Sequence, residues 1–402
     1  MEKIGKYITN YIKGKTPKVL FDNEFSNTLP YLSPDYLRGV SAPELYAKKD
    51  EKTIVINDGE VIVLWDGSNA GEIFISKKGI LASTMTMLQF DEKKINKAYF
   101  GYSFQYLEYI LKAKTAGSGI PHADKGVIGK LDFYKPSLLE QTAIANILSK
   151  VDEAIASVQN SIATAECLKK SLMQNLLTGR MKPDGTMRSE DEFYVDEKFG
   201  RVPKGWEVKK VKDLSIQVTD GEHQTPERTD TGYYLLSARN IKNGLLSLDD
   251  VDYIPEKELK RIQRRCNPQG GDILISCSGT IGNVCIVPDG FVGGMVRSAA
   301  LVKLNKEIIE PSFAELMFQS FFMQNQIKVA VSSSVQGNIF QGAIKKLRMF
   351  YPQNKQERLE ILNKINQFNR IITDNVNKIA VLERLKKSLM QNLLTGRVRV
   401  KI

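Results

Sequence analysis

A string of thirteen residues, LKKSLMQNLLTGR, runs from Leu168 to Arg180 and again, unchanged, from Leu385 to Arg397, 217 positions later. Identity of that length is not chance, and an internal repeat narrows the available architectures more than any other sequence feature. The correspondence continues upstream at the same offset. Ile144, Leu148, Val151, Ile155, Ile162, Ala165, Leu168, Leu172 and Leu176 answer to Ile361, Ile365, Phe368, Ile372, Ile379, Leu382, Leu385, Leu389 and Leu393. Their spacing is the apolar stripe of an amphipathic helix. Pro136 and Pro352 precede the two stripes, and Gly179 and Gly396 follow them, which suits helix starts and stops. Each helix is then expected to hold about 40 residues and to span about 60 Å. Helices that long seldom stand alone. A near-heptad stripe on both points to an antiparallel pair packed against each other, rather than two core helices in separate domains.

The stretches between the helices repeat more weakly. GEVIVLWDGSNAG (59–71) is echoed by GDILISCSGTIG (271–282), Thr16-Pro17 by Thr225-Pro226, and YLSPDYLRG (31–39) by YLLSARNIKNG (234–244). Short β-branched runs broken by Gly, Asn, Asp and Pro recur in both, the pattern of mixed, β-rich domains. The expected organisation is α+β: a globular domain over 1–135, a spacer helix over 136–180 and a polar connector over 181–200. A second globular domain over 201–352, a second spacer helix over 353–397 and a tail over 398–402 complete it.

Charge supplies the class of partner. Lys plus Arg number 57 against 46 Asp plus Glu, a net +11, which calls for a polyanion such as nucleic acid or an anionic membrane surface. No apolar run approaches the roughly 18 residues of a membrane span. The opening MEKIGKYITNYIKGK has no signal-peptide core, so a cytoplasmic location is expected. Four cysteines form no C-x-x-C pair and have only two histidines beside them, so no metal site and inert, reduced thiols are expected. A phosphate loop, a spaced nuclease acid–lysine set and an Asn-Pro-Pro-aromatic tetrapeptide are all missing; the nearest string is Asn267-Pro268-Gln269-Gly270. No catalytic residue and no cofactor are expected in this chain.

In this order the features resemble the specificity subunit of a type I restriction–modification system. Pro203-Lys204-Gly205-Trp206-Glu207 is similar to the opening of a target recognition domain. Pro136-Ser-Leu-Leu-Glu140-Gln141-Thr-Ala-Ile144 is similar to the start of a spacer helix. Asp220-Gly-Glu-His-Gln-Thr-Pro226, and Gly271-Asp-Ile-Leu-Ile followed by Ser278-Gly-Thr-Ile-Gly282, resemble recurring target-domain motifs. There are two departures: Glu357 is followed by Arg358 where Glu140 is followed by Gln141, and the first domain opens at Lys3-Ile4-Gly5 without a counterpart of Pro203–Trp206.

The resemblance implies two β-rich target recognition domains on an antiparallel coiled coil with pseudo-two-fold symmetry. It implies a non-catalytic subunit that reads double-stranded DNA as an asymmetric, bipartite target with an unread gap. It also implies two methyltransferase subunits and translocase–nuclease subunits as partners, with S-adenosylmethionine, ATP and magnesium belonging to those partners. The alternatives are the recognition subunit of another multi-subunit restriction enzyme, a non-catalytic coiled-coil adaptor, and a metal-dependent nuclease built around acids such as Asp220 and Glu222.

Base readers must reach from rigid supports: Arg to guanine, Asn or Gln to adenine, with Lys, Ser and Thr on phosphates. The loop residues of the first domain that suit this are Lys13, Lys15, Thr16, Arg38, Trp65, Ser68, Asn69, Ser118, His122 and Lys125. In the second they are Glu222, His223, Gln224, Thr225, Arg228, Arg239, Asn240, Ser278, Thr280, Arg297, Gln336 and Asn338. Packing needs only apolar residues of suitable size. It therefore leaves unexplained why Lys169, Lys170, Gln174 and Asn175 recur as Lys386, Lys387, Gln391 and Asn392. A polar surface offered twice to the same protein explains that recurrence.

Overall fold

The computed structural model describes residues 1–39, 42–114, 121–332 and 337–402. The chain forms two compact units: Met1–Ser161 with Asn375–Ile402, and Ile162–Asp374. Both boundaries fall inside long helices, Leu138–Leu177 and Lys355–Leu393. Each unit therefore owns one globular domain, the near part of one helix and the far part of the other. In the first unit, Ile144, Ala145 and Leu148 share a core with Leu393 and Leu394. Farther along, Asp152 accepts from Lys386 Nζ at 2.6 Å, so the two helix segments run antiparallel. In the second unit the end of one helix, at Leu176 and Leu177, shares a core with the beginning of the other, at Ile361, Leu362 and Ile365.

The repeated string explains both helix stops. Thr178 and Thr395 turn their hydroxyls back onto the Gln174 and Gln391 carbonyls, at 2.7 and 2.6 Å. Gly179 and Gly396 follow at φ 66° and 73°, the left-handed conformation that ends a helix. A side chain at either glycine would collide with an aromatic-lined wall, Pro203 and Trp206 in one case and Tyr134 in the other. The helix starts are clamped in parallel ways. Glu140 accepts two hydrogen bonds from Arg399, at 2.8 and 2.7 Å, while Glu357 accepts from Arg188 at 2.5 Å and from Trp206 Nε1 at 3.1 Å.

The Gln-to-Arg departure is compensated. Gln141 Nε2 donates to the Pro136 carbonyl and its Oε1 accepts from the Asn96 backbone N–H; Arg358 Nη1 donates to the Pro352 carbonyl and its Nε to Glu310, at 2.6 Å. Asn96 immediately precedes the helix Lys97–Lys114, and Glu310 immediately precedes the helix Pro311–Gln319. A neutral bond from backbone to side chain in one unit has become a charged side-chain pair in the other.

Both globular domains have the same sheet. In the first, Ile8–Lys13, Met85–Phe90, Val61–Leu64 and Ile73–Ile75 lie in that order; in the second, Ser215–Asp220, Ala299–Leu304, Ile273–Ser276 and Val284–Ile286 do. In chain order each reads first, fourth, second, third, and every pairing is antiparallel. A second small sheet in each domain adds a parallel pair, Thr28–Leu32 with Gly79–Leu81 and Tyr233–Leu236 with Gly293–Met295. Each domain is closed by its opening strand pairing with the strand that leads into its helix. Glu2–Lys3 meets Asp132–Phe133, and Trp206–Lys210 meets Arg348–Pro352. The first domain thus opens as the second does, with a two-residue strand in place of five.

The polar stretch 181–200 is more than a connector. Phe193–Asp196 pairs with Gly200–Pro203, and Arg188 reaches back to the Gly179 carbonyl as well as forward to Glu357. Among the described residues no helix is long and apolar enough to cross a membrane. Cys266, Cys277 and Cys285 are buried, which pushes each thiol up to about 12, whereas Cys167 is exposed on its helix.

Candidate nucleic-acid interface

In both domains the candidate loops gather at one end of the four-stranded sheet. The chain leaves the first strand through Gly14 or Gly221, both packed on backbone: an added Cβ would lie 2.0 Å from the Ala82 carbonyl oxygen in one and 2.5 Å from that of Met295 in the other. Only glycine permits that approach, and it fixes where the following loop departs. A matching backbone bond joins the two later loops, Ala123 N–H to the Trp65 carbonyl and Ile339 N–H to the Cys277 carbonyl.

In the first domain Asp66 is the hub. It accepts from Lys13 Nζ at 3.0 Å and lies 2.6 Å from His122 Nδ1. Burial pushes its carboxyl up, but His122 and Lys13 together outweigh burial and hold it below the ordinary range. Trp65 is half-buried and meets Tyr11 edge-on at 6.0 Å, and Lys125 Nζ sits 4.9 Å over the Tyr11 ring. Lys15, Thr16, Ser68 and Asn69 are exposed around this group. Arg38 stands slightly apart, held by Glu72 and Asp35, and the Glu72 hydrogen bond foremost raises its pKa. Ser118 lies outside the described residues.

In the second domain the equivalent positions carry different chemistry. Asp220 stands where Lys13 stands in the first, is 6% exposed, and accepts from the Gln341 N–H at 3.1 Å. Burial raises its pKa. Glu222 accepts from the Gln224 N–H at 2.9 Å and pairs with Arg261 at 3.1 Å, while His223 Nε2 lies 3.0 Å from Arg265. The Glu222 carbonyl accepts from the Arg297 N–H, next to which Ser298 Oγ accepts from the Ala238 N–H. That places Arg239 beside the cluster. Arg239 and Arg228 converge on Asp252, at 2.7 and 2.9 Å. Thr225 is exposed, and Ser278 and Thr280 flank a loop folded over the buried Ser276 hydroxyl, which donates to the Thr280 carbonyl. Asn338 is partly exposed, and Gln336 lies outside the described residues.

Asn240 is a correction. It is 1% exposed, its amide donates to the Ser247 and Asp250 carbonyls, and its oxygen accepts from the Ser237 N–H and hydroxyl. Every polar group of its side chain is engaged inside the domain, so it is a loop clamp and not a base reader. Three participants escape a sequence reading. Asp252, Arg261 and Arg265 sit on or beside a strongly charged helix, Glu256–Gln263, whose pattern is that of any solvated surface. Only the fold brings Arg261 against Glu222, Arg265 against His223, and Asp252 against Arg228 and Arg239.

The repeated polar residues are exposed or half-exposed in both copies. Lys170, Lys387, Gln174 and Gln391 are exposed, and Lys169, Lys386, Asn175 and Asn392 are intermediate. The leucine stripe rises out of the core in both: Leu176 and Leu393 are 0% and 4% exposed, Leu168 and Leu385 are 53% and 46% exposed. The copies differ at one point. Lys386 pairs with Asp152 and lies 5.5 Å over the Tyr102 ring, whereas Asn369 occupies the position equivalent to Asp152 in the other helix.

Comparison with known proteins matches this arrangement. The family model "Type I restriction modification DNA specificity domain" covers residues 6–166 and again 203–384. The MjaVIII specificity subunit of a type I restriction enzyme from Methanocaldococcus jannaschii is 29% identical, over 99% of this chain and 92% of its own length. The EcoBI specificity subunit from Escherichia coli is 20% identical over 84% of this chain and 73% of its own. Among solved structures, the type I S subunit from M. genitalium aligns with a TM-score of 0.56 at 14% identity, covering 98% of this chain and 95% of that one. A chain from a structure titled for complex assembly and conformational transition of the type I system aligns equally well, at 0.56, with 13% identity and 99% and 97% coverage. At those identities the likeness is one of fold.

Proposed function

Because the chain belongs to the type I restriction–modification DNA specificity family, we propose that it reads an asymmetric, two-part duplex target, one half-site per globular domain, while seating two methyltransferase subunits. Translocase–nuclease subunits join that assembly for cleavage. Catalysis resides in those partners, as do S-adenosylmethionine, ATP and magnesium, and the whole works in the cytoplasm.

One observation carries the bipartite reading. The two domains share strand order and loop departure points, yet equivalent loop positions differ in charge, with Lys13 answered by Asp220 and Asp66 by Ser278. Equal scaffolds with unequal readers favour a target whose halves are unequal; equal readers would favour a palindrome. Methylome sequencing of a host carrying the system is expected to return two dissimilar constant segments separated by an unread gap. A palindromic or continuous motif contradicts the reading.

The partner surface is supported by the two polar faces of LKKSLMQNLLTGR, which packing and capping do not account for. Charge reversal at Lys169 and Lys170 is expected to remove one methyltransferase copy, and the quadruple reversal with Lys386 and Lys387 to remove both, as read by native mass spectrometry. Because Lys386 also pairs with Asp152, the quadruple variant needs an unchanged melting temperature for its loss to count. An undiminished two-to-one assembly refutes the surface.

A further inference from the structure

Two of the arginines suited to reading bases arrive from different segments and meet on one carboxylate. Arg228 lies in the loop after Pro226, anchored by the adjacent Thr229 N–H, which donates to the Tyr253 carbonyl at 3.0 Å. Arg239 lies in the short helix Ala238–Asn240, fixed by Ser298 and by the Asn240 clamp on the Asp250 carbonyl. Asp252 opens the edge strand Asp252–Ile254. Its Oδ2 accepts from Arg228 Nε at 2.9 Å and its Oδ1 from Arg239 Nη2 at 2.7 Å.

The guanidiniums stay accessible, with Arg228 and Arg239 side chains 49% and 43% exposed against 28% for Asp252. Asp252 engages Arg228 through Nε, which leaves both Nη groups of this half-exposed side chain as a two-pronged donor. That fork matches the O6 and N7 acceptors of guanine in the major groove.

A carboxylate here makes little sense for phosphate attraction. Placing a negative charge between two arginines weakens the pull on a polyanion, and Asp250 adds another at 3.6 Å from Arg239 Nε. It does little for stability either, because partly exposed ion pairs contribute at most modestly. What it does is hold two long, rotamer-rich side chains in one geometry before DNA arrives, which removes an ordering cost from the specific complex alone.

We propose that Asp252 is a positioning residue that presents Arg228 and Arg239 as a preorganised pair of guanine readers in the half-site of the second domain. The inference rests on the DNA-reading role of that domain and adds to it which base and which orienting group are involved.

The test compares Asp252→Asn and Asp250→Asn with the unmutated full chain. Each binds a duplex carrying the methylated motif and a scrambled duplex, across a range of salt concentrations. Both variants remove one negative charge, so both are expected to bind the scrambled duplex several-fold more tightly, with a steeper salt dependence. Asp252→Asn alone is expected to lose about ten-fold or more of its preference for the motif over single substitutions at guanines of one half-site. Its discrimination at the other half and its melting temperature stay unchanged. If Asp252→Asn keeps its discrimination, or if Asp250→Asn loses as much, the positioning role is overturned. If the unmutated chain itself shows no preference for the motif, the DNA-reading role fails, which is a separate result.

Discussion

At the residue scale, the two domains separate exposed loop side chains, the proposed DNA readers, from side chains that only shape the loops. Arg239 and Lys15 illustrate the first kind. Arg239→Ala is expected to cost about 1–3 kcal/mol on the cognate half-site and to relax specificity there. Lys15→Ala is expected to weaken binding to all sequences and lower the salt slope by about one. Binding titrations at several salt concentrations distinguish the two, and equal behaviour contradicts the division of roles. Asn240 illustrates the second kind. Asn240→Ala strips partners from the Ser247 and Asp250 carbonyls and the Ser237 N–H. A loss of about 1–3 kcal/mol in denaturant unfolding is expected. In sequence, Arg239 and Asn240 looked alike as adjacent polar loop residues; burial alone separates them, and burial depends on contacts seven and ten residues away. Asp252 was invisible for the same reason, since nothing local marks an aspartate in a charged stretch as the meeting point of two arginines.

At the element scale, the helix starts repeat a single design with different residues. Glu140 and Glu357 are equivalent, and each is gripped by an arginine that follows the other end of a long helix, Arg399 and Arg188. The Arg399 hydrogen bond is the main cause of the lowered Glu140 pKa, with burial opposing it and the Val400 N–H assisting. A lowered carboxyl contributes stability above its unfolded value, and that contribution fades as pH falls through the folded value. Melting temperature measured from about pH 6 to pH 3 should therefore fall less steeply below about pH 4.5 in Glu140→Gln than in the unmutated chain. The buried Arg358–Glu310 pair gives a sharper test. Arg358→Gln alone leaves Glu310 unpaired and is expected to cost about 3–5 kcal/mol, with partial recovery when Glu310→Gln removes the unpaired charge. The helices themselves were legible because period, Pro starts and Gly stops all agree. The strands of each sheet were less so: the sequence echoes located the Val61–Leu64 and Ile273–Ser276 strands, but the first-fourth-second-third order depends on non-local pairing that no local pattern encodes.

At the scale of the whole molecule, the chain is a duplicated reader whose two copies have kept their scaffold and changed their loops. The duplication was plain in the thirteen-residue repeat, as was the division into two domains on two long helices. What the sequence did not disclose is that each compact unit takes its helical part from both long helices, because that requires the return of the second helix onto the first domain at Leu393 and Leu394. If the helices set the unread gap, a four-residue insertion of about 6 Å belongs near Ser161 with a matching one near Asp374. Near Leu176, it would break a buried core. The doubly inserted chain is expected to recognise both half-sites across a gap one or two base pairs longer.

The proposed function requires each domain to read one half-site independently of the other. Replacing residues 1–135 with the matching domain of a relative, and sequencing the methylome of the host expressing the chimera, separates the two halves. The expected motif has one new constant segment and one unchanged. A motif altered in both segments contradicts it.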